Sequence, residues 1–227
     1  MNNEFPLPDS HPLSDYVRLS GERNRDSILA TFKNRLTGEA CDVLEYASGS
    51  GMHINYFATH FPSVRFHPSD NDEETFDCIK DLRRKGENEN VQDPVLLDLK
   101  VRDTWPARDV RRFAAIFCIN LIHVAPVEAM RGVMECSAQL LAPDGFLLIY
   151  GPFMVDGKYT TTSNEEFDKV LRSAGGSEWG LKDVSDLTSA AAEFGLAFND
   201  RLEMPGNNFT LIYGDHDRGG RYETGTR

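Results

Sequence analysis

Between Val43 and His53 the chain reads VLEYASGSGMH. A short apolar run carrying Glu45 passes into Ala47, Ser48, Gly49, Ser50 and Gly51. Residues this small let a main chain run close beneath a ligand and accept positive φ. Asp70 stands 19 residues beyond Gly51, at the end of a second run, VRFHPSD. An acid at that place suits the two hydroxyls of a ribose. Asp98 closes a third run, PVLLDL, where it could meet an adenine amino group. Asn120 and His123 follow a fourth, FAAIFCINLIH, and Tyr150, Gly151 and Pro152 follow a fifth, GFLLIYGPF. His123 is the candidate general base. Plainer roles stand beside these. Asp70 could cap a helix starting at Asp72, Asp98 could form an ordinary turn, Arg23 could pair with Glu22 or Asp26, and His123 or Tyr150 could simply pack.

The elements that would position these groups alternate in type. Helical spacing is predicted over Ser20–Phe32, then a break at Gly38, then a first strand over Asp42–Tyr46. Ile54, Phe57, Ala58 and Phe61 repeat as a helix that Pro62 ends. Asp72–Lys85 is amphipathic, with Phe76, Ile79 and Leu82. The fourth run is apolar on both faces, as a central parallel strand should be. Val127–Leu141 reads as a helix and Met154–Ser177 as an insert with a short helix near Phe167–Leu171, in which Ser163 and Asn164 could wall a substrate. DVSDLTSAAAEFGL starts with a Ser/Asp cap, and two last strand-like runs meet at Pro205, Gly206 and Asn207. Residues 1–13 read as an extended arm, 14–213 as one domain, and 214–227 as a frayed tail. Strand–helix alternation predicts an α/β fold with a mostly parallel seven-stranded sheet. A closing antiparallel hairpin points to the Rossmann-like class I methyltransferases rather than to dehydrogenases, which add a sixth parallel strand.

Bulk properties narrow the partners. The 227 residues carry a net charge of −12, so the overall field repels a phosphate backbone and no nucleic acid is expected. The clusters Arg83, Arg84, Lys85 and Arg108, Arg111, Arg112 read as solvated faces. Four cysteines without a CxxC pair, no HExxH, and acids scattered over separate strand ends give no metal site. With no leader-like start and no long apolar run, the expectation is a cytoplasmic protein off the membrane. The dinucleotide fingerprint fails, because Ile54 stands where G-x-G-x-x-G needs its third small residue. Glu45-x-Ala47-x-Gly49-x-Gly51 fits instead the looser methyltransferase form, with Ala in the first glycine place. Neither the Asp-Pro-Pro-Tyr signature of some amino-group methyltransferases nor a Pro-Cys pair after the fourth strand is present.

VLEYASGSGMH, HPSD, INLIHVAP, YGPF, SNEEFD and MPGNNFTLIY, with the opening SGERNRDSIL, resemble the DUF938 family, also called UPF0585, over roughly residues 10–213. The His67–Pro68 pair departs from a more usual Gln-Pro. The resemblance implies a class I methyltransferase with S-adenosylmethionine as cofactor. By position it implies that Glu45, Ala47, Gly49 and Gly51 line the methionine and ribose, that Asp70 holds the ribose hydroxyls, and that Asp98 and Leu99 flank the adenine. Asn120 would lie near the sulfonium, and Arg23 and Asn24 would close over the methionine carboxylate. The expected reaction methylates N or O of a small molecule or peptide. A non-catalytic binding protein and an NAD-dependent oxidoreductase are the alternatives.

Overall fold

The computed structural model describes residues 14–36, 39–107 and 112–214, with side chains from Gly21 onward. The predicted arm, the break at Gly38, Arg108 and Arg111, and the tail from residue 215 lie outside these. Gly214 is no part of a tail; it closes the last strand.

Helix α1 (Ser14–Lys33) leads into β1 (Asp42–Tyr46), α2 (Met52–Ala58), β2 (Arg65–Asp70), α3 (Phe76–Gly86) and β3 (Val95–Leu96). Next come β4 (Phe113–Ile119), α4 (Val127–Leu140), β5 (Leu141–Gly151), a small hairpin of β6 (Met154–Val155) and β7 (Lys158–Tyr159), and α5 (Thr162–Gly175). The chain ends with α6 (Val184–Glu193), β8 (Ala197–Met204) and β9 (Asn208–Gly214). The main sheet runs β3-β2-β1-β4-β5-β9-β8. Strands β1 to β5 pair in parallel and β9 pairs antiparallel with both β5 and β8. Strand order reverses between β1 and β4, the place where such sheets open a crevice for ligands.

Alternation along the strands divides the core in two. Leu44, Tyr46, Ile116, Cys118, Leu147 and Ile149 face α4 and α6. Val43, Phe117, Phe146 and Leu148 face α1 and α2, where Phe32 meets Phe57 at 5.2 Å and Phe117 at 5.1 Å. Both faces are thus covered, as the doubly apolar fourth run requires.

Several boundaries differ from those expected. Helix α1 starts at Ser14, and α2 stops at Ala58, four residues before Pro62. The third run yields only Val95–Leu96, because the chain turns at Asp98. There Thr104 Oγ1 and Trp105 Nε1 donate to the Asp98 carbonyl at 3.1 and 2.9 Å. The short helix of the insert is the 14-residue α5, capped by Thr161. Its buried side is largely polar. Asp168, 2% exposed, accepts from the Leu181 N–H, the Tyr159 hydroxyl and Arg172 at 2.7, 2.8 and 2.7 Å. At the opposite end of the sheet, Asp42 accepts from Arg65 and lies 2.6 Å from His67 Nε2, a bond that a Gln at 67 could also donate. Arg83 and Arg84 pair with Asp93 and Asp81.

Helix α4 sits close to the sheet because Gly132 has no side chain. A Cβ there would fall 1.8 Å from the Leu99 carbonyl oxygen. Gly132→Ala is expected to cost about 3 kcal/mol, read as a lower urea midpoint at unchanged slope.

Candidate functional site

The turn after β1 is stitched to the end of β2. Ser48 N donates to Ser69 O at 2.9 Å, Ser69 N to Ser48 Oγ at 3.1 Å, and Ser69 Oγ to Glu45 O at 2.6 Å. Gly49 N donates to Asp70 Oδ2 at 2.8 Å, and Asp72 N to Asp70 Oδ1 at 3.1 Å. Capping of the following 3₁₀ turn belongs to Asp72, which accepts from Glu74 N, and not to Asp70. Asp70 is the loop's anchor. Burial raises its carboxyl pKa, and the Gly49, Asp72 and Asn71 N–H groups oppose that rise. A carboxylate offers about four lone-pair sites, so these bonds leave acceptor capacity for a ligand hydroxyl.

The turn needs left-handed backbone at Ala47 (φ 50°), Gly49 (φ 53°) and Gly51 (φ 77°). A Cβ on Gly51 would meet Ile79 Cγ1 at 2.9 Å, so that glycine admits α3. Above Gly49 the space is open, with nothing within 4 Å of a Cβ position. Beneath the turn Glu45 is 2% exposed, and its Oε2 is buried without a hydrogen-bond partner. Burial drives its pKa well above the usual value, against the pull of the Ser48 hydroxyl, and the nearby Asp70 charge adds to the rise. Such an oxygen is prepared for a cation or a strong donor.

Helix α1 lies over the turn. A Cβ on Gly21 would fall 2.0 Å from Met52 Cε, and Asn24 Oδ1 is 2.8 Å from His53 Nε2. His53 is buried and its pKa falls to about 3, from desolvation and then the Arg25 charge. Neutral His53 therefore donates to Asn24 rather than carrying charge.

Beyond α1 a cavity of about 690 Å³ opens over the ends of β4 and β5, walled by α5 and the β8–β9 turn. Arg23, Asn24, Asn120 and His123 line it, together with Tyr150, Ser163 and Asn164. Of the residues singled out in the sequence, these gather in the cavity, whereas Glu45, Ala47, Gly49, Gly51 and Asp70 gather at the turn. Asp98 follows β3 next to this turn, for Leu97 N donates to Asp70 O at 2.9 Å, and its carboxylate accepts from Lys100 N at 2.8 Å. The Leu99 side chain is in the core, 8% exposed, against Gly132; an adenine could meet only its main chain. Asn120, at φ 58°, turns the chain at the end of β4. His123 is 6% exposed, edge-on to Phe167 at 5.5 Å, and burial followed by the Lys182 charge lowers its pKa to about 4. Tyr150 lies beside the Asn24 and Asn208 amides, and burial carries its pKa to about 12. Phe167, Val170 and the turn Pro205–Asn208 also face the cavity. Sequence reasoning passed over them because nothing local marks residues that only the folded insert and hairpin bring to β4. Among the described residues no group of three His, Cys, Asp or Glu could hold a metal, and no helix is long and apolar enough to cross a membrane.

A sheet of this order, with a tied glycine turn after β1 and an acid after β2, is that of the Rossmann-like class I methyltransferases. Solved structures of the same fold include an O-methyltransferase family protein from Burkholderia thailandensis (18% identity, TM-score 0.69, 94% of this chain and 65% of that one). Two more are mitomycin 7-O-methyltransferase MmcR (14%, 0.71, 87% and 54%) and CalO1, a methyltransferase in calicheamicin biosynthesis in its SAH-bound form (13%, 0.70, 88% and 55%). The chain thus spans less than two thirds of each. A family model described as a protein of unknown function, DUF938, matches residues 16–215, and the chain belongs to that family.

Glu45 gives the site a measurable signature. A carboxyl whose folded pKa is raised imposes no penalty below its unfolded value, and the penalty grows as pH rises from there toward the folded pKa. Glu45→Gln is therefore expected to raise the stability of the ligand-free protein at pH 8 by about 1–2 kcal/mol. The gain should disappear near pH 4, as followed by thermal midpoints across the range.

Proposed function

We propose that the protein is an S-adenosylmethionine-dependent methyltransferase acting on oxygen or nitrogen of a small-molecule or peptide acceptor. The observation that carries this reading is the buried, unpartnered Glu45 oxygen beneath a glycine turn already tied to Asp70. The methionine ammonium of the cofactor supplies the cation this oxygen lacks. Asp70 keeps acceptor capacity for the ribose, and the space above Gly49 admits the ligand. Asp98 and the Leu99 main chain would flank the adenine. Arg23 and Asn24 would meet the carboxylate from α1, and Asn120 would lie toward the sulfonium. When bound, the cofactor supplies an activated methyl, so the protein needs chiefly to align the acceptor and exclude water.

The cavity size suits a small acceptor better than a macromolecule, and the O-methyltransferases of the same fold support oxygen as the methylated atom. Ile54, wholly buried, holds the place of a dinucleotide fingerprint's third glycine and speaks against NAD. The four unpaired cysteines support a reducing, cytoplasmic setting.

Calorimetric titration with S-adenosylmethionine, with NAD as control, tests the reading. The sulfonium ligand should bind the wild type, and Asp70→Asn and Glu45→Gln should each weaken it about tenfold or more, the loss of about 1.4 kcal/mol or more. Binding of NAD alone would overturn the methyltransferase reading in favour of an oxidoreductase; binding of neither would favour a non-catalytic binding protein.

A further inference from the structure

We infer that the cavity takes a small aromatic acceptor bearing a hydroxyl, seated with that hydroxyl over Gly151 between His123 and Asn120; this rests on the methyltransferase reading above. A Cβ built on Gly151 would lie 3.5 Å from His123 Nδ1 and 3.9 Å from Asn120 Oδ1. Two polar atoms from the chain after β4 therefore converge on a floor that carries no side chain. Among the described residues no hydrogen bond reaches the His123 ring, whose packing partner is Phe167. A hydroxyl both donates and accepts, so it satisfies the imidazole in either tautomer.

The rest of the cavity selects what carries the hydroxyl. Phe167, Tyr150, Val124, Val170, Pro152 and Pro205 give it broad apolar surface suited to a flat ring. Its amides are partly spent. Asn164 Nδ2 donates to Thr160 Oγ1 and Asn207 O at 2.9 and 3.1 Å, and Asn208 Nδ2 to Pro205 O and Gly206 O at 3.0 and 3.2 Å. Both side chains have only their carbonyl oxygens left for a ligand, and Glu166 adds a further acceptor. Arg23 and the Asn24 amide add donors on the side of α1, so a hydroxyl, which both donates and accepts, complements such a lining. About 690 Å³ admits one or two fused rings with substituents.

The chemistry agrees with an acidic hydroxyl. A neutral imidazole of depressed basicity takes a proton from a phenol far more readily than from an aliphatic alcohol. The acceptor's O–H bond breaks with its proton passing to the imidazole, and an oxygen electron pair forms the new bond to the methyl carbon. The carbon–sulfur pair leaves on sulfur. One positive charge thus moves from the sulfonium to the imidazolium, and a methyl ether and a thioether remain.

The test is a fluorescence titration of the full chain, without cofactor, with 2,3-dihydroxynaphthalene. The comparison ligands are 2,3-dimethoxynaphthalene, which lacks donors, decahydronaphthalene-2,3-diol, which lacks the aromatic ring and is followed by displacement, and 2-(aminomethyl)naphthalene. The aromatic diol is expected to bind at least about tenfold more tightly than each of the others. Gly151→Ala, whose new methyl would make only ordinary contacts, should remove that preference while keeping the thermal midpoint and the S-adenosylmethionine affinity. His123→Phe should do the same at the imidazole. No binding of the diol, equal binding of all four, tighter binding of the amine, or a preference that survives Gly151→Ala would each overturn the inference. Because cofactor affinity is measured separately, a protein that binds S-adenosylmethionine but not the diol refutes the acceptor alone.

Discussion

The bond from Gly49 N–H to Asp70 is the constraint on which the candidate site depends. It joins the turn after β1 to the end of β2, two segments that parallel pairing has already brought side by side. The turn is consequently held in left-handed conformations without a ligand, and the ordering entropy of those residues is met during folding rather than on binding. The anchor also explains an arrangement that is otherwise unfavourable. Two acids, Glu45 and Asp70, are buried near one another; burial drives both carboxyls toward higher pKa, and the Asp70 charge adds to the rise at Glu45. Such a pair opposes folding and favours a cationic ligand, as sites under functional constraint commonly do.

Much of this was legible in the sequence, for identifiable reasons. β1 matches its expected bounds because an uninterrupted apolar run ends in small residues, and both ends of that signal are local. Asp70 was legible because an acid ending a strand has few places to go in a parallel sheet. The two-residue β3 was not. Leu97 and Leu99 look like strand residues, yet the hydroxyl and indole of Thr104 and Trp105 bind the Asp98 carbonyl and turn the chain into the core. Helix α5 was underestimated because its inner side is held by Asp168 and Asn164 rather than by an apolar stripe, so periodicity reports only part of it. The cavity's composition was the least legible feature. It joins residues from α1 to the β8–β9 turn, and only the assembled sheet makes them neighbours.

The two buried histidines show how position decides the use of one residue type. His53 is neutral and spends a ring nitrogen on Asn24, which fixes α1 over the turn. His123 is neutral too, but its ring meets Phe167 and the cavity. One is part of the frame and the other is available to a ligand.

The walls of the cavity have a consequence for how such a protein can change. Helix α5 packs through its own small cluster of Leu171 and Leu181, separate from the two clusters that clamp the main sheet, and the β8–β9 turn projects from the sheet's end. Substitutions at Ser163, Glu166, Val170 or Asn207 therefore touch few groups that hold the sheet together, and their effects on stability should add independently of changes at the glycine turn. The cavity lining can drift through these positions while the glycine turn stays as it is. The architecture separates a part tied into the sheet from a part that is not, and the second can change without unsettling the first.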